Sequence, residues 1–188
     1  MEWIECAEYS PCGGYLAVGS HDTNIYIYET GGYSLTGKCS AHQASITCID
    51  WSMDSSYIKS VCNAYELLYF MIPSCDQDPS GRSNTTGTDW ATGHCKFGWL
   101  VDGIFPKGTD GTHINGVDFN EDQSLIAAGD DYGLVQVFRN PCRKGSKPVS
   151  YRGHAEHVVR VKFGRGDLGS YLFSIGGYDQ TVFQWVKK

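Results

Sequence analysis

Two pairs of ionisable side chains are the first candidates for chemistry in this sequence. Asp130 and Asp131 are adjacent carboxylates, which could bind a divalent cation or act as an acid and a base. His154 and His157 are three residues apart, a spacing that suits two metal ligands on one face of a helix. However, the surrounding pattern predicts turns and a strand entry, where Asp131 and His154 have structural positions and Asp130 is an ordinary turn residue. We therefore expect no catalytic residue, no bound metal and no cofactor.

The sequence also offers little for nucleophilic catalysis. It contains no Gly-x-Ser-x-Gly elbow and no complete Walker sequence. Its eight cysteines include no Cys-x-x-Cys pair, and several, such as Cys48, lie in apolar strand patterns where a thiol acts as a small hydrophobe. We expect reduced cytosolic thiols. The alternative is an extracellular disulfide scaffold, in which Asn84 would begin a glycosylation sequon.

Charge and hydropathy argue against two classes of partner. The formal net charge is −6, whereas nucleic-acid binding needs a cationic surface that displaces counterions. Apolar stretches such as Leu16–Val18 are far shorter than a membrane span, and the first residues have no apolar segment typical of a secretory signal. We expect protein partners, no nucleic acid, no membrane and a cytoplasmic location.

The elements that hold these residues come from an internal repeat. One pattern of alternating strands, polar turns and terminal aromatic residues occurs four times, with starts at residues 4, 46, 114 and 158. Two of the three separations match a WD repeat of about 40–45 residues, and the third contains an insertion of about 25 residues. The alternation predicts first strands at residues 4–9, 46–51, 114–119 and 158–163, and almost no helix.

We therefore predict an all-β chain, a partial WD-repeat β-propeller of about four four-stranded antiparallel blades. The predicted blades cover about 3–40, 41–110 with the insertion at 73–112, 113–152, and 153–188. Segments 33–39 and 148–152 supply fourth strands, whereas none follows the fourth copy. Because unpaired strand edges associate, we expect this chain to form a two-fold dimer through its open flanks.

The fourth copy resembles the WD-repeat family most closely, through Gly153-His154, Asp179 and Trp185. In that family the His, the Asp, a Ser/Thr hydroxyl and the Trp form a buried hydrogen-bonded network that holds the blade. The corresponding positions in the other copies are occupied by His42, Asp22 and Asp131. The hydroxyl position, taken as four residues before each Asp, holds Val18, Ala127 and Ile175, and Ala64 replaces the second Asp. We therefore expect incomplete networks.

The insertion contains the motifs Trp90-Ala-Thr, Cys95, Gly98-Trp99, Gly103-Ile-Phe105-Pro and Asp110-Gly-Thr112. Through these motifs it resembles a segment of the second propeller of the echinoderm microtubule-associated protein-like family. The resemblance implies a cytoskeletal scaffold with paired propellers that bind tubulin. Trp90, Trp99 and Phe105 have no position in the repeat, so they either pack the insertion onto its blade or form an exposed anchor for a partner.

Two other classes of function stay open. A WD-repeat adaptor in a ciliary or signalling complex would share the repeats and lack any contact with microtubules. An enzyme with a site at the mouth of the propeller channel would need a convergent set of polar residues without structural positions, and the sequence shows no such set.

Overall fold

A computed structural model describes residues 2–106, 108 and 113–186. The chain divides into two compact units, residues 1–95 and 96–188, and each unit contains two of the repeats. Within the described residues the longest helical segments are one turn of α-helix, α1 (Gly81–Asn84), and a 3-10 turn at Gly166–Leu168. Neither is long or apolar enough to cross a membrane. The prediction of an all-β propeller chain is confirmed, and the Asp110–Thr112 motif lies outside the described residues.

The first unit is built from two antiparallel sheets. The first repeat forms a four-stranded sheet in sequential order, and the second forms a three-stranded one. The strands are β1 (Ile4–Tyr9), β2 (Tyr15–Ser20), β3 (Asn24–Glu29), β4 (Leu35–Ser40), β5 (Ile46–Trp51), β6 (Tyr57–Cys62) and β7 (Leu67–Met71).

The second unit repeats this plan. The third repeat forms a four-stranded sheet and the fourth a three-stranded sheet, again antiparallel and in sequential order. The strands are β8 (Ile114–Phe119), β9 (Leu125–Asp130), β10 (Leu134–Arg139), β11 (Val149–Arg152), β12 (Val158–Phe163), β13 (Tyr171–Gly176) and β14 (Val182–Val186).

The four first strands lie at the predicted residues because their apolar and polar side chains alternate with the two-residue period of a strand. The strand count differs from the prediction in the second repeat. Its sheet has three described strands, because after β7 the described part of the insertion pairs with this blade only through the isolated bridges Phe70–Gln77 and Ser52–Trp90.

Each unit has its own apolar core. In the first unit, Trp51, Ile58 and Phe70 are almost fully buried between the two sheets. In the second unit, a cluster around Phe119 and Ile126 packs beneath the segment that carries Ile104. Since each sheet buries its residues against a neighbour, the polar groups that connect neighbouring strands are also enclosed, and they form the candidate sites.

Candidate functional site

The fourth repeat contains a buried polar centre around His154. The imidazole Nε2 lies 2.8 Å from Ser174 Oγ, which also accepts a hydrogen bond of 2.9 Å from Trp185 Nε1. On the other side of the ring, Nδ1 lies 3.1 Å from Asp179 Oδ2 and 3.0 Å from Thr181 Oγ1. The structure thus brings His154, Asp179 and Trp185 together. The hydroxyl comes from Ser174, five residues before the aspartate, and not from the position of Ile175.

Asp179 also closes the turn between β13 and β14. Its Oδ1 accepts the backbone N–H of Thr181, and its Oδ2 accepts that of Ala155. Burial by itself raises the pKa of this carboxyl, but the hydrogen bonds from Thr181, His154 and Ala155 outweigh it and lower the pKa. The ionised aspartate therefore holds the strand entry and the turn in one position.

We expect Asp179→Ala to lower the melting temperature of the chain by roughly 5 °C or more, because His154 and the backbone N–H groups of Ala155 and Thr181 lose their acceptor. Thermal unfolding followed by circular dichroism measures the change. The matched control is Asp167→Ala, at an exposed position of the same repeat. Equal melting temperatures for the two variants would contradict a structural role for this centre.

The second repeat has a related but different centre. His42 is buried, and its Nε2 lies 2.7 Å from Ser60 Oγ. No aspartate completes this centre, since Ala64 occupies the turn, and Glu66 Oε2 lies 3.6 Å from Nδ1 of the imidazole. Burial lowers the pKa of His42 despite the opposing effect of Glu66 and thereby favours the neutral ring.

The aspartates of the first and third repeats act locally. Asp22 accepts a hydrogen bond of 2.5 Å from the Tyr26 hydroxyl, which together with bonds from Asn24 lowers its pKa. In the turn between β9 and β10 of the third repeat, the buried carboxylate is Asp130, which accepts backbone N–H groups of that turn. Asp131 has a side chain 44% exposed and accepts a bond from Asn115. Asp130 is therefore the enclosed turn residue, which differs from the expectation that Asp131 has this role.

Asp50 is the most enclosed charge in the first unit. It lies in β5, its side chain is 0% exposed, and Lys59 Nζ is 3.4 Å from its Oδ2. Its oxygens accept the Thr92 hydroxyl at 2.6 Å and the backbone N–H groups of His94 and Cys95 at 2.7 and 2.9 Å. Burial raises its pKa, but Lys59, His94 and these hydrogen bonds hold the pKa well below its usual range.

Asp118 occupies the equivalent position of β8 in the second unit. Its side chain is also 0% exposed, and it accepts the backbone N–H of Phe163 at 2.7 Å. Lys162 Nζ lies 3.2 Å away, so the carboxylate joins the sheets of the third and fourth repeats. Both residues share one signal in the sequence, which is a carboxylate at the fifth position of a first strand with an apolar residue on each side.

The three aromatic residues of the insertion, Trp90, Trp99 and Phe105, lie in two different environments. Trp90 is 2% exposed, lies beside the Tyr69 ring, and has Lys59 Nζ 4.3 Å from its ring centre. It also bridges Ser52 at the end of β5. Trp90 therefore packs the insertion onto its blade.

Trp99 and Phe105 belong to the second unit, and both are partly exposed. The ring of Phe105 stacks on Phe97 at 5.6 Å, and both rings line a cavity of about 860 Å³ together with Phe138. Lys144 lies at the same cavity and supplies a positive charge to its wall. A concave apolar wall with a few polar groups is the usual form of a binding site.

Two glycine-rich segments match phosphate-binding motifs by letter. Residues 164–169 read Gly-x-Gly-x-x-Gly, and residues 32–39 read Gly-x-x-x-x-Gly-Lys-Cys. Both motifs need a strand followed by a helix whose N-terminus binds the phosphate. The first segment joins β12 to β13 and the second leads into β4, so neither has that setting.

Sequential antiparallel sheets, each built from one repeat, together with the His-centred polar network of the fourth repeat, define a WD-repeat β-propeller protein. The chain belongs to the family described as the echinoderm microtubule-associated protein second beta-propeller, whose model matches residues 1–187. This finding confirms the resemblance of the insertion.

Curated relatives agree with this family. The chain is 60% identical over 187 residues to the ciliary WD repeat-containing protein ctxp80 of Euplotoides octocarinatus, covering 100% of this chain and 26% of that protein. It is 41% identical over 189 residues to the human echinoderm microtubule-associated protein-like 1, covering 98% of this chain and 23% of that protein. The chain thus spans about a quarter of the length of these relatives.

Solved structures agree in fold. The β-propeller domain of Myceliophteria thermophila Cps50 (Swd1) matches with a TM-score of 0.67 and 12% identity, covering 99% of this chain and 70% of that one. At this identity the likeness shows the propeller fold alone.

Proposed function

We propose that this chain is a non-catalytic protein-interaction module of a microtubule-associated scaffold in the cytoplasm, where it contacts tubulin or another cytoskeletal protein. The observation that carries the proposal is the aromatic-walled cavity of the second unit, which the insertion forms. Family membership supports the choice of partner, because the family and the human relative are both named as microtubule-associated proteins.

The cavity offers what a protein anchor needs. Phe97, Phe105 and Phe138 provide an apolar wall, and Lys144 can pair with an acidic group of the partner. Trp99 is partly exposed in the same segment, and tryptophan is enriched among the residues that dominate binding energy. A partner that inserts an apolar side chain flanked by a carboxylate fits this surface.

A non-enzymatic function is supported by how the polar residues are used. Four enclosed groups, His154, Asp179, Asp50 and Asp118, are engaged in hydrogen bonds that join strands or turns. A catalytic group needs an acid, base or nucleophile that faces a substrate, and each of these faces backbone or another side chain.

Co-sedimentation with taxol-stabilised microtubules tests the proposal. We expect the wild-type chain to pellet with microtubules and Phe105→Ala to bind about tenfold more weakly, because a central aromatic anchor is removed. Tyr178→Ala is the matched control, since Tyr178 is 85% exposed and lies in the fourth repeat, away from the cavity-lining residues.

Two results would count against this function. Equal losses of microtubule affinity for Phe105→Ala and Tyr178→Ala would show that the cavity is not part of the binding surface. A wild-type chain that stays in the supernatant at all microtubule concentrations would exclude direct microtubule contact by this chain.

The second candidate is an adaptor in a ciliary complex that does not contact microtubules. It is favoured by the name of the relative that is 60% identical, a ciliary WD repeat-containing protein. The co-sedimentation experiment distinguishes the adaptor from the microtubule-binding module, since the adaptor does not pellet.

The self-association expected from the sequence stays a prediction, for which light scattering at micromolar concentration is the measurement.

A further inference from the structure

Three side chains of the second repeat converge at the position where the fourth repeat has its aspartate. His42 precedes β5, Cys62 ends β6, and Glu66 lies just before β7. One donor atom from each lies within 4.8 Å of the other two. The carboxylate Oε2 is 3.6 Å from His42 Nδ1 and 3.4 Å from Cys62 Sγ.

A contact at Nε2 orients the His42 imidazole so that its Nδ1 faces this cluster. Its Nε2 is engaged with Ser60 Oγ at 2.7 Å, and the side chain is 1% exposed. Its Nδ1 is buried without a hydrogen-bond partner among the described residues, since 3.6 Å to Glu66 Oε2 is too long for a hydrogen bond. A buried polar atom without a partner is costly and rare, so this nitrogen points to a missing ligand.

The fourth repeat shows what normally satisfies that nitrogen. There Nδ1 of His154 faces Asp179 and Thr181. Strand pairing places Val61 opposite Leu67 in the second repeat and Ile175 opposite Val182 in the fourth. By this register, Cys62, which follows Val61, takes the place of Gly176. Glu66, which precedes Leu67, takes the place of Thr181.

The second repeat therefore replaces the aspartate centre with a different set of donors. A Cβ atom built at Gly176 would lie 2.6 Å from His154 Nδ1, so any side chain at this position is directed at the imidazole. In the second repeat that side chain is the thiol of Cys62, and the carboxylate of Glu66 occupies the threonine position. Nitrogen, sulfur and oxygen donors thus surround one point.

We propose that His42, Cys62 and Glu66 bind a Zn²⁺ ion, through Nδ1, Sγ and Oε2. In a tetrahedral zinc site with bonds of about 2.0–2.3 Å, neighbouring donors are about 3.3–3.6 Å apart. This range includes the distances from Glu66 Oε2 to His42 Nδ1, 3.6 Å, and to Cys62 Sγ, 3.4 Å. A thiolate and a carboxylate also balance the charge of the ion. The fourth coordination position is open to water or to a side chain of a partner, because Glu66 is 36% exposed.

The surrounding hydrogen bonds hold the donors in place for this ion. Ser60 fixes the orientation of the His42 ring from the side opposite to Nδ1. The backbone N–H of Gln43 donates to Glu66 Oε2 at 3.1 Å and limits where the carboxylate can move. Such outer contacts orient metal ligands in proteins. The site revises the expectation of no bound metal, which rested on the lack of close Cys and His spacing in the sequence.

Zinc titration of the full chain tests this site. The protein is reduced, stripped with a chelator, and titrated with Zn²⁺ in competition with a chromogenic chelator, and Co²⁺ is used in parallel as a spectroscopic probe. We expect one equivalent of tightly bound Zn²⁺ and a thiolate-to-cobalt charge-transfer band. Cys62→Ser should abolish the band and weaken Zn²⁺ binding by more than about tenfold, and Glu66→Gln should weaken it by about tenfold.

Matched controls distinguish this site from the other thiols and carboxylates. Cys12→Ser and Glu29→Gln change side chains of the first repeat, and both should bind Zn²⁺ like the wild type. Glu66 is partly exposed, so Glu66→Gln should stay folded even if Cys62→Ser unfolds, and circular dichroism checks this. A wild-type chain without a bound equivalent of zinc, or equal affinities for wild type and Glu66→Gln, would overturn the proposal.

Discussion

Asp50→Ala is expected to lower the free energy of unfolding by about 3–5 kcal/mol, because removing one partner of a buried ion pair leaves the other charge uncompensated. Lys59, which is 6% exposed, would lose its carboxylate. The backbone N–H groups of His94 and Cys95 would lose their acceptor at the same time. Denaturant unfolding followed by tryptophan fluorescence measures the change.

The control for Asp50 is Asp131→Ala, at a position that is 44% exposed. Its cost should be about 0.5 kcal/mol or less, since exposed ion pairs contribute little. If the two variants lose equal stability, Asp50 does not hold the insertion.

The effect of Asp50 should also depend on pH. Its folded-state pKa is lowered, so its stabilisation is present above the unfolded value of about 3.9 and is lost as the pH falls below it.

Phe119→Ala is expected to have a similarly large effect on the second unit, about 3–5 kcal/mol, through the cavity that it leaves. The ring is 2% exposed in the cluster that includes Ile126 and Phe138. Thermal and denaturant unfolding followed by circular dichroism report the loss. Tyr132→Ala is the control, because Tyr132 is 65% exposed in the same repeat. A Phe119→Ala variant as stable as Tyr132→Ala would show that this cluster does not determine the stability of the unit.

The repeat pattern predicts the strands because a strand leaves a local signal. Apolar residues at every second position specify which face is buried, so the first strands of all four repeats could be placed at their residues. Their partners follow from the turns between them. For a fourth strand in the second repeat the sequence has no such signal. The chain leaves this three-stranded sheet after β7 and enters the insertion.

The polar centres were harder to predict because their members meet only in three dimensions. The repeat pattern predicts the hydroxyl of the fourth repeat at Ile175, whereas the structure supplies Ser174, whose side chain lies on the opposite face of β13. A shift of one residue in a strand reverses the side-chain direction. The repeat pattern does not predict the centres around Asp50 and Cys62, because the groups that surround them come from a different strand, a turn and the insertion.

Residues 77–90 of the insertion form a loop whose two ends are held beside the second blade. The Phe70–Gln77 bridge holds one end and the Ser52–Trp90 bridge holds the other. When the ends of a loop are fixed by separate contacts, doubling its length costs only about 0.6 kcal/mol. The exposed stretch around Thr86 and Gly87 is thus a position where a peptide tag or a fluorophore could be accommodated while the blade keeps its strands.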